Sequence, residues 1–338
     1  MKAIRLVKYG NAEDAFQIVD LPDPHPADNE VLIRVSSFGL NFADVLSRRH
    51  LYRDAPSLPY IPGYEVVGVV EESRTPYLKE GERVVAFTRF GGYAEKVAVP
   101  VLGVVPLPEN IGDAAGTALA TQYCTAWHAA IDMAHVRRDE LVLIHAAAGG
   151  VGIALTQLAR LRGATVAGTA GSDEKTAFLK EQGVEYAINY RKKDFEEELP
   201  RLTGGRMPDV VFDPVGGKNF SKSRHLLAHG GRIVTYGASS QLALRGNPLA
   251  PLRLLFGFGF LHPVGLIIQS KGVLGVNMLK IADHKPHVLQ QAMKEVVRLA
   301  GEGKLQPVIG KEYPAEKIAE AHAFLESRRS IGKIVLHW

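Results

Sequence analysis

Cysteine is almost absent from the chain: Cys124 is the single one among 338 residues. One thiol excludes an intrachain disulfide and a zinc site built from several cysteines. The sequence also lacks an apolar run of the roughly 20 residues that a membrane-spanning helix needs. Its longest apolar stretch, residues 254–268, is interrupted by Gly257, Gly259, His262 and Pro263. The first residues lack the long apolar segment of a secretory signal, so we expect a cytoplasmic protein.

Neither sign of charge dominates the sequence. The 40 Lys and Arg residues are interspersed with 36 Asp and Glu residues, which leaves a net charge of +4. This balance argues against nucleic acid as the partner and leaves small anionic molecules open as ligands. Hydrophobic residues make up 46% and charged residues 22%, as in globular proteins. The length corresponds to roughly two domains.

The sequence pattern changes along the chain. Residues 1–122 carry short apolar runs separated by Pro, Gly and Asp, which predicts a β-rich, mostly antiparallel lobe. From residue 123 to 265, short apolar strands alternate with helical segments, which predicts a parallel, helix-covered sheet. We expect residues 266–338, which carry amphipathic helices and a final strand, to return to the first lobe.

A glycine-rich turn follows a buried strand candidate in residues 141–152. The strand, the turn and the start of a helix form the context of a dinucleotide-binding fingerprint, although Ala147 stands at the first glycine of that pattern. Glycines let the backbone approach a pyrophosphate, and the helix N-terminus supplies N–H donors. The predicted phosphate-binding residues are Gly149, Gly150, Val151 and Gly152.

The next strand candidate, residues 165–171, bears on the choice of cofactor. NAD sites usually place Asp or Glu about 20 residues after the glycine motif, to bind the ribose. Here the strand ends without an acid and is followed by Ser172 and Lys175. A hydroxyl and an ammonium suit a 2′-phosphate, which favours NADPH over NADH.

Seven segments together carry a family resemblance. They are residues 39–44, 62–65, 81–84, 146–152, 188–190, 213–217 and 332–336. In this order they resemble the zinc-independent quinone oxidoreductase branch of the medium-chain dehydrogenase/reductase superfamily, and within it the subgroup of the synaptic-vesicle membrane protein. The resemblance implies an α/β fold in which a Rossmann-type nucleotide domain is inserted into a GroES-like catalytic lobe. It also implies a homodimer and a site in the cleft between the lobes.

The resemblance further implies that no zinc is bound. Zinc-dependent members of the superfamily carry Cys, His and Cys where this chain has Asn41, Tyr64 and, nearby, Thr121. An amide, a phenol and a hydroxyl do not form a tetrahedral zinc site. Without a Lewis acid, we expect hydride transfer from NADPH to an acceptor that is already electrophilic, such as a quinone or an α,β-unsaturated carbonyl.

Three residues are expected to be catalytic because of the resemblance. Asn41 would lie near the nicotinamide and either donate its NH₂ to the developing oxyanion or close a turn. Tyr52 would donate or merely pack, and His50 stands where the family has glycine in that loop. Tyr64 would form a wall of the pocket.

The resemblance assigns further residues to the cofactor. Thr125 matches the position that touches the nicotinamide carboxamide, and Tyr190 matches a tyrosine next to the adenosine phosphate. The remaining expected cofactor contacts are Asn41, Tyr236, Gly237 and Asn277. The lone thiol, Cys124, is expected to be buried and inert.

The apolar stretch 254–268 leaves alternatives open. It would serve as a lid over the cleft, as a subunit interface or as a patch that touches a membrane. The last two interpretations lead to a second functional hypothesis, an NADPH-binding, weakly catalytic protein that associates with a partner or a membrane.

Overall fold

The computed structural model describes residues 1–244, 256–259 and 261–338. These residues form two compact units. The catalytic unit comprises Met1–Cys124 and Met278–Trp338, and the nucleotide unit comprises Thr125–Asn277.

The described strands are numbered in chain order. They are β1 Lys2–Leu6, β2 Phe16–Asp20, β3 Glu30–Leu40, β4 Glu65–Ser73, β5 Arg83–Phe87, β6 Lys96–Pro100, β7 Val104–Pro106, β8 Leu141–Ile144, β9 Thr165–Ala170, β10 Tyr186–Asn189, β11 Val210–Asp213, β12 Arg232–Thr235, β13 Gly272–Gly275, β14 Ile309–Pro314 and β15 Lys333–His337.

The described α-helices are numbered in the same way. They are α1 Ala12–Ala15, α2 Phe42–Arg48, α3 Asp113–Ala118, α4 Cys124–Trp127, α5 Gly150–Leu161, α6 Asp173–Glu181, α7 Phe195–Leu202, α8 Lys218–Leu226, α9 Pro263–Gln269, α10 Met278–His284, α11 Pro286–Gly301 and α12 Ile318–Glu326. None of the helices in the described ranges is long and apolar enough to cross a membrane.

The catalytic unit is built on a mostly antiparallel sheet. Its described strands run in the order β14-β15-β3-β4-β5-β7, and β6 also pairs with β3. Antiparallel sheets commonly bury one face, and here side chains such as Val31, Ile33 and Val66 form the core. The final strand β15 pairs with β3 so that Ile334 faces Leu40. The return of the chain therefore places its last residues beside the start of α2.

The nucleotide unit contains a parallel sheet in the order β10-β9-β8-β11-β12-β13. Its central strand β8 is buried along its whole length, as expected for a sheet covered on both faces. The chain leaves β8 toward β9 on one side and later enters β11 on the other. This reversal is the switch point at which doubly wound folds bind dinucleotides. The expected fold class is confirmed.

The unit boundaries differ from those expected at residues 122 and 265. The first lies two residues later, at Cys124, and the second lies at Asn277. The later return has a structural reason, because β13 pairs in parallel with β12 and so extends the nucleotide sheet. Composition alone gave no sign of this last strand.

Candidate active site

The predicted phosphate loop folds as a tight turn between β8 and α5. Ala146 adopts a left-handed conformation with φ of 51°, and the buried Ala147 donates its N–H to the Thr169 carbonyl at 3.0 Å. A Cβ on Gly152 would lie 2.6 Å from the Ala146 oxygen and from the Ala147 Cα. Glycine therefore lets α5 approach the turn. Gly149 caps the helix, whose first amides have no intrahelical acceptors and suit a pyrophosphate.

A second group of polar residues lies at the carboxyl ends of β9 and β10. Ser172 caps α6, since its Oγ accepts the Lys175 backbone N–H at 3.3 Å. The Tyr190 hydroxyl lies against Gly171, where a Cβ would be 2.6 Å from it. Burial lowers the pKa of the Lys175 ammonium, the nearby Glu174 opposes this shift, and the positive charge of Arg191 adds to it.

Arg191 is a residue that the sequence reasoning missed. It follows Tyr190 directly at the end of β10, which was the available signal. The acid closest in sequence to the end of β9, Asp173, accepts a hydrogen bond from Asn189 at 2.8 Å and pairs with Lys192. The end of β9 thus gathers cations, a hydroxyl and a phenol.

The loops after β11 and β12 meet at the same edge of the sheet. Asp213 is fully buried and accepts hydrogen bonds from the Val215 N–H at 2.8 Å and from the Asn219 amide at 3.0 Å. Tyr236 donates its N–H to the Asp213 carbonyl at 3.2 Å, and burial raises the pKa of its phenol. A Cβ on Gly237 would lie 2.9 Å from the Pro214 oxygen.

The two remaining expected cofactor residues of the nucleotide unit lie near its ends. Thr125 is partly buried in α4, and Asn277 is exposed two residues after β13. Because parallel strands end at one edge, Asn277 and the loops after β8, β9, β11 and β12 lie at the same edge of the sheet.

Asn41 of the catalytic unit caps α2 and is buried. Its backbone N–H donates to Asp44 Oδ2 at 2.8 Å. Its Nδ2 lies 2.8 and 2.7 Å from the two carboxylate oxygens of Glu65, and its Oδ1 accepts from Lys333 Nζ at 3.1 Å. The sequence predicted that the Asn41 amide could donate to an acceptor oxygen. In this structure its nitrogen already donates to the buried Glu65 carboxylate, and its oxygen already accepts from the buried Lys333 ammonium.

Glu65 and Lys333 form an ion pair with no solvent exposure. Lys333 also donates to the Leu40 carbonyl at 3.1 Å, and Thr121 donates its hydroxyl to Glu65. A Cβ on Gly39 would overlap the Glu65 carboxylate and the Lys333 side chain. Sequence reasoning missed the roles of Glu65 and Lys333, although both lie in motifs that it quoted.

Asp44 is a second buried carboxylate of this cluster. Burial and the charge of Glu65 raise the pKa of Asp44 to about 7, against the opposing effects of the Asn41 N–H, Lys333 and Tyr93. Arg48, four residues along α2, is engaged elsewhere, with Glu326 and the Gly10 carbonyl. Asp44 thus orders the start of α2 through Asn41.

Tyr52 and Tyr64 form an aromatic wall. Their ring centroids are 6.3 Å apart, and the ring of Phe90 lies 5.3 Å from that of Tyr64. Burial, followed by the charges of Asp54 and Asp44, raises the pKa of Tyr52 to about 12. The Tyr64 hydroxyl is buried and makes no hydrogen bond of standard geometry among the residues that the structure describes, and it lies close enough to Tyr52 to lower the pKa of that phenol.

The loop before Tyr52 departs from the family pattern at His50, where the family has glycine. His50 has a φ of 58°, a conformation in which glycine carries no Cβ penalty. Its ring stacks on Tyr9 with centroids 4.1 Å apart. The loop therefore keeps the left-handed backbone conformation that glycine favours, and the His50 ring adds a stacking contact with Tyr9.

Other candidate chemical groups are satisfied within the core. Burial, with a smaller effect of Glu65, raises the pKa of the Cys124 thiol well above its usual range. His145 is buried between Thr169 and Ser223, at 3.0 and 2.8 Å, and burial lowers its pKa. Over the described ranges, no cluster of three or more His, Cys, Asp or Glu residues has the arrangement of a metal site.

Part of the apolar stretch 254–268 lies outside the described residues, namely 254, 255 and 260. Of the remainder, Phe258 packs on Phe220 with ring centroids 5.2 Å apart. Helix α9 exposes Val264 by 51% and both Ile267 and Ile268 by 77%. An apolar helix face thus lies open on the nucleotide unit.

Comparisons with known proteins agree with this architecture. Residues 27–109 match the family model of the alcohol dehydrogenase GroES-like domain, and residues 182–336 match that of zinc-binding dehydrogenases. The chain is 31% identical to the quinone oxidoreductase of Homo sapiens, over 99% of this chain and 97% of that protein. It is 34% identical to the synaptic vesicle membrane protein VAT-1 homolog of Danio rerio, over 99% of this chain and 69% of that protein.

A solved structure is similar over the whole chain. The Escherichia coli quinone oxidoreductase complexed with NADPH superposes with a TM-score of 0.87 at 29% identity, and both chains are covered completely. The fold and the glycine turn thus define a protein of the dinucleotide-binding, two-unit oxidoreductase class. The chain belongs to the quinone oxidoreductase branch of the medium-chain dehydrogenase/reductase superfamily.

Proposed function

We propose that this protein is an NADPH-dependent oxidoreductase that reduces quinones or α,β-unsaturated carbonyl compounds without zinc. The observation that carries the cofactor assignment is the cationic group at the ends of β9 and β10. Bound NADPH would supply the hydride, and the protein would bind, orient and stabilise charge around it.

The nucleotide unit fits the dinucleotide at several points. The first amides of α5, at Gly150, Val151 and Gly152, are donors for the pyrophosphate. Ser172, Lys175 and Arg191 supply one hydroxyl and two cations to the 2′-phosphate, which carries about two negative charges. NADH lacks that phosphate, so these cations would contribute little to its binding.

A titration of the purified protein with NADPH and NADH, followed by tryptophan fluorescence, tests the cofactor assignment. Lys175→Ala and Arg191→Ala should each weaken NADPH binding at least about 10-fold, the effect of losing one charged hydrogen bond. Affinity for NADH should change less than about 2-fold, and Lys180→Ala on the same helix serves as the matched control. Equal losses for both cofactors would remove the 2′-phosphate assignment.

The catalytic unit supports the proposal that zinc is not used. Two of the positions at which zinc-dependent relatives carry ligands, Asn41 and Thr121, are bonded to Glu65. The ammonium of Lys333 adjoins the same carboxylate, so a divalent cation there would face electrostatic repulsion. The residues present do not fit a zinc ion.

The acceptor proposal rests on the phenols. Hydride transfer to a quinone or an enone leaves negative charge on oxygen, and a preorganised donor stabilises that charge. Tyr64 carries a buried hydroxyl that makes no hydrogen bond of standard geometry among the described groups, and Tyr52 lies beside it. We assign the donor role to these phenols and the positioning of α2 to Asn41.

Steady-state turnover with a series of quinones and enones tests the acceptor class. Tyr64→Phe should lower kcat about 100- to 1,000-fold, the range for loss of one oxyanion donor. The control is Tyr77→Phe, because Tyr77 is exposed and follows β4, whereas Tyr64 directly precedes that strand. Activity that needs added zinc, or that is lost to a chelator, would refute the zinc-independent mechanism.

We also propose that two copies associate through the nucleotide unit. β13 is the edge strand of the described parallel sheet, and an open edge is a template for pairing. The apolar face of α9 leads directly into this strand. Ile267→Asp should convert a dimer to a monomer in light-scattering measurements, whereas a monomeric wild-type protein would refute the interface.

The exposed α9 face also supports the second candidate function, an NADPH-binding protein that docks to a partner or a membrane with little turnover. Vesicle sedimentation distinguishes the two, since the oxidoreductase should stay in the supernatant with neutral and acidic phospholipids. The cytoplasmic location expected from the sequence stays a prediction.

A further inference from the structure

Lys333 lies in a coordination environment that resembles that of a bound cation. Its ammonium donates to Glu65 Oε1, to Asn41 Oδ1 at 3.1 Å and to the Leu40 carbonyl at 3.1 Å. All three hydrogens of an ammonium therefore have oxygen acceptors. A cation without solvent exposure is tolerated only when it is paired and fully hydrogen-bonded, and this one meets both conditions.

The fold is shaped to bring this cation to the start of α2. The pairing of β15 with β3 places Ile334 opposite Leu40, so Lys333 reaches the end of β3. Gly39 leaves the space that Lys333 and Glu65 fill. Glu65 in turn accepts from Thr121 and from the Asn41 amide. Four segments far apart in sequence therefore converge on one carboxylate–ammonium pair.

We propose that Lys333 is a positioning residue for the acceptor reaction: its ammonium is a built-in cation that, through Glu65, fixes Asn41, Thr121 and the start of α2. The role rests on the proposed function. The cation organises side chains around a centre, as a structural metal ion would, and it leaves the donor role to the phenols of the aromatic wall.

The charge balance of the cluster makes this role testable. Two buried carboxylates, Asp44 and Glu65, adjoin one ammonium, so the cluster holds one excess negative charge when both are ionised. Glu65, Lys333, the Asn41 N–H and Tyr93 act on the pKa of Asp44. The charge of Asp44 in turn raises the pKa of the phenols that face it, Tyr52, Tyr60, Tyr64 and Tyr93. Glu65 raises the pKa of Asp44 and Lys333 lowers it.

Two neutralising variants should therefore shift the titration of Asp44 in opposite directions. Glu65→Gln removes the raising charge, and the midpoint should move down by about one pH unit or more. Lys333→Met removes the lowering charge, and the midpoint should move up. The pH dependence of urea unfolding measures both shifts without any need for activity, and the pH profile of kcat/KM measures them in the working enzyme. Asp44→Asn should remove the titration.

The double variant Lys333→Met/Glu65→Gln separates positioning from stability. Because it removes both members of the ion pair, and because Asp44 is protonated below its midpoint, it should recover most of the stability lost in Lys333→Met at pH 5 to 6. Its kcat for quinone should stay at least about 10-fold below wild type, as when residues that hold other side chains of a site in place are removed. Its NADPH affinity should change less than about 2-fold. Arg48→Met, which removes a buried cation of the same unit, should lower stability without moving the midpoint.

The outcomes are distinct. Opposite shifts with a slow but stable double variant support the proposal. Shifts in one direction, no shift in folded variants, or a double variant with full activity overturn it. If neither single variant folds, the double variant decides: a folded double variant with wild-type kcat for quinone overturns the proposal, and a folded one that is at least about 10-fold slower supports it. A wild-type protein that titrates as described but reduces no acceptor would refute the proposed function instead.

Discussion

The two units hold their polar groups in opposite ways. In the nucleotide unit, the groups come from loops that end neighbouring parallel strands, and the proposed phosphate donors are backbone amides. In the catalytic unit, Asn41, Glu65 and Lys333 are side chains from three distant parts of the chain, and two of them are buried ions. Substitutions in the glycine turn should therefore disturb backbone packing, whereas substitutions around Glu65 and Lys333 should disturb a buried ion pair.

The strongest test of the nucleotide unit is Gly152→Ala. The added methyl would lie 2.6 Å from backbone atoms of Ala146 and Ala147, which cannot swing aside as a side chain could. We expect α5 to shift and NADPH affinity to fall at least about 100-fold, equivalent to about 2.7 kcal/mol. Fluorescence titration measures this loss.

The matched control for that change is Gly301→Ala. Its methyl would meet only Pro108 carbons at ordinary contact distance, 3.6 Å and beyond. It should bind NADPH as the wild type does and gain a fraction of a kcal/mol in stability, since alanine favours helices. Normal NADPH binding by Gly152→Ala would show that the turn is not the phosphate site.

Gly39→Ala is the corresponding test of the catalytic unit. Its methyl would overlap the Glu65 carboxylate and the Lys333 stem, neither of which has solvent to move into. We expect about 3 kcal/mol less unfolding free energy, in the range for overpacking a core and disturbing a buried ion pair. NADPH affinity should stay within about 2-fold, because the proposed phosphate loop is in the other unit. An equal loss of both properties would contradict the separation.

This contrast also explains what the sequence could predict. The alternation of strands and helices predicted the fold class, and the glycine spacing after β8 predicted the tight turn that begins α5, because both are local patterns. The identity of Asn41 was visible, but its partners lie 24 and 292 residues further along the chain. Only the pairing of β15 with β3 brings Lys333 to it. The hydrogen bonds of the Asn41 amide to Glu65 and Lys333 therefore could not be predicted from residue spacing.

The buried carboxylate Asp44 provides a pH test. Its pKa rises from 3.8 to about 7 on folding. Between these values the unfolded chain has lost this proton and the folded protein has kept it, so the contribution of Asp44 to stability declines as pH rises toward 7. Urea unfolding between pH 5 and 8 should show this decline in wild type and not in Asp44→Asn. Parallel curves for the two proteins would place the Asp44 pKa near its ordinary value.

The smallest effect is expected at His50, because its backbone conformation lowers the unfolding free energy and the stacking of its side chain raises it. His50→Gly relieves a left-handed conformation that costs a residue with a Cβ about 1 kcal/mol. It also loses the stacking on Tyr9, worth about 0.5–1.5 kcal/mol, and adds flexibility to the unfolded chain. The net change in unfolding free energy should stay within about 1 kcal/mol. His50→Val keeps the strain without the stacking, so it should unfold more easily than His50→Gly in the same urea titration, and the reverse order would mean that the loop has left its glycine-like conformation.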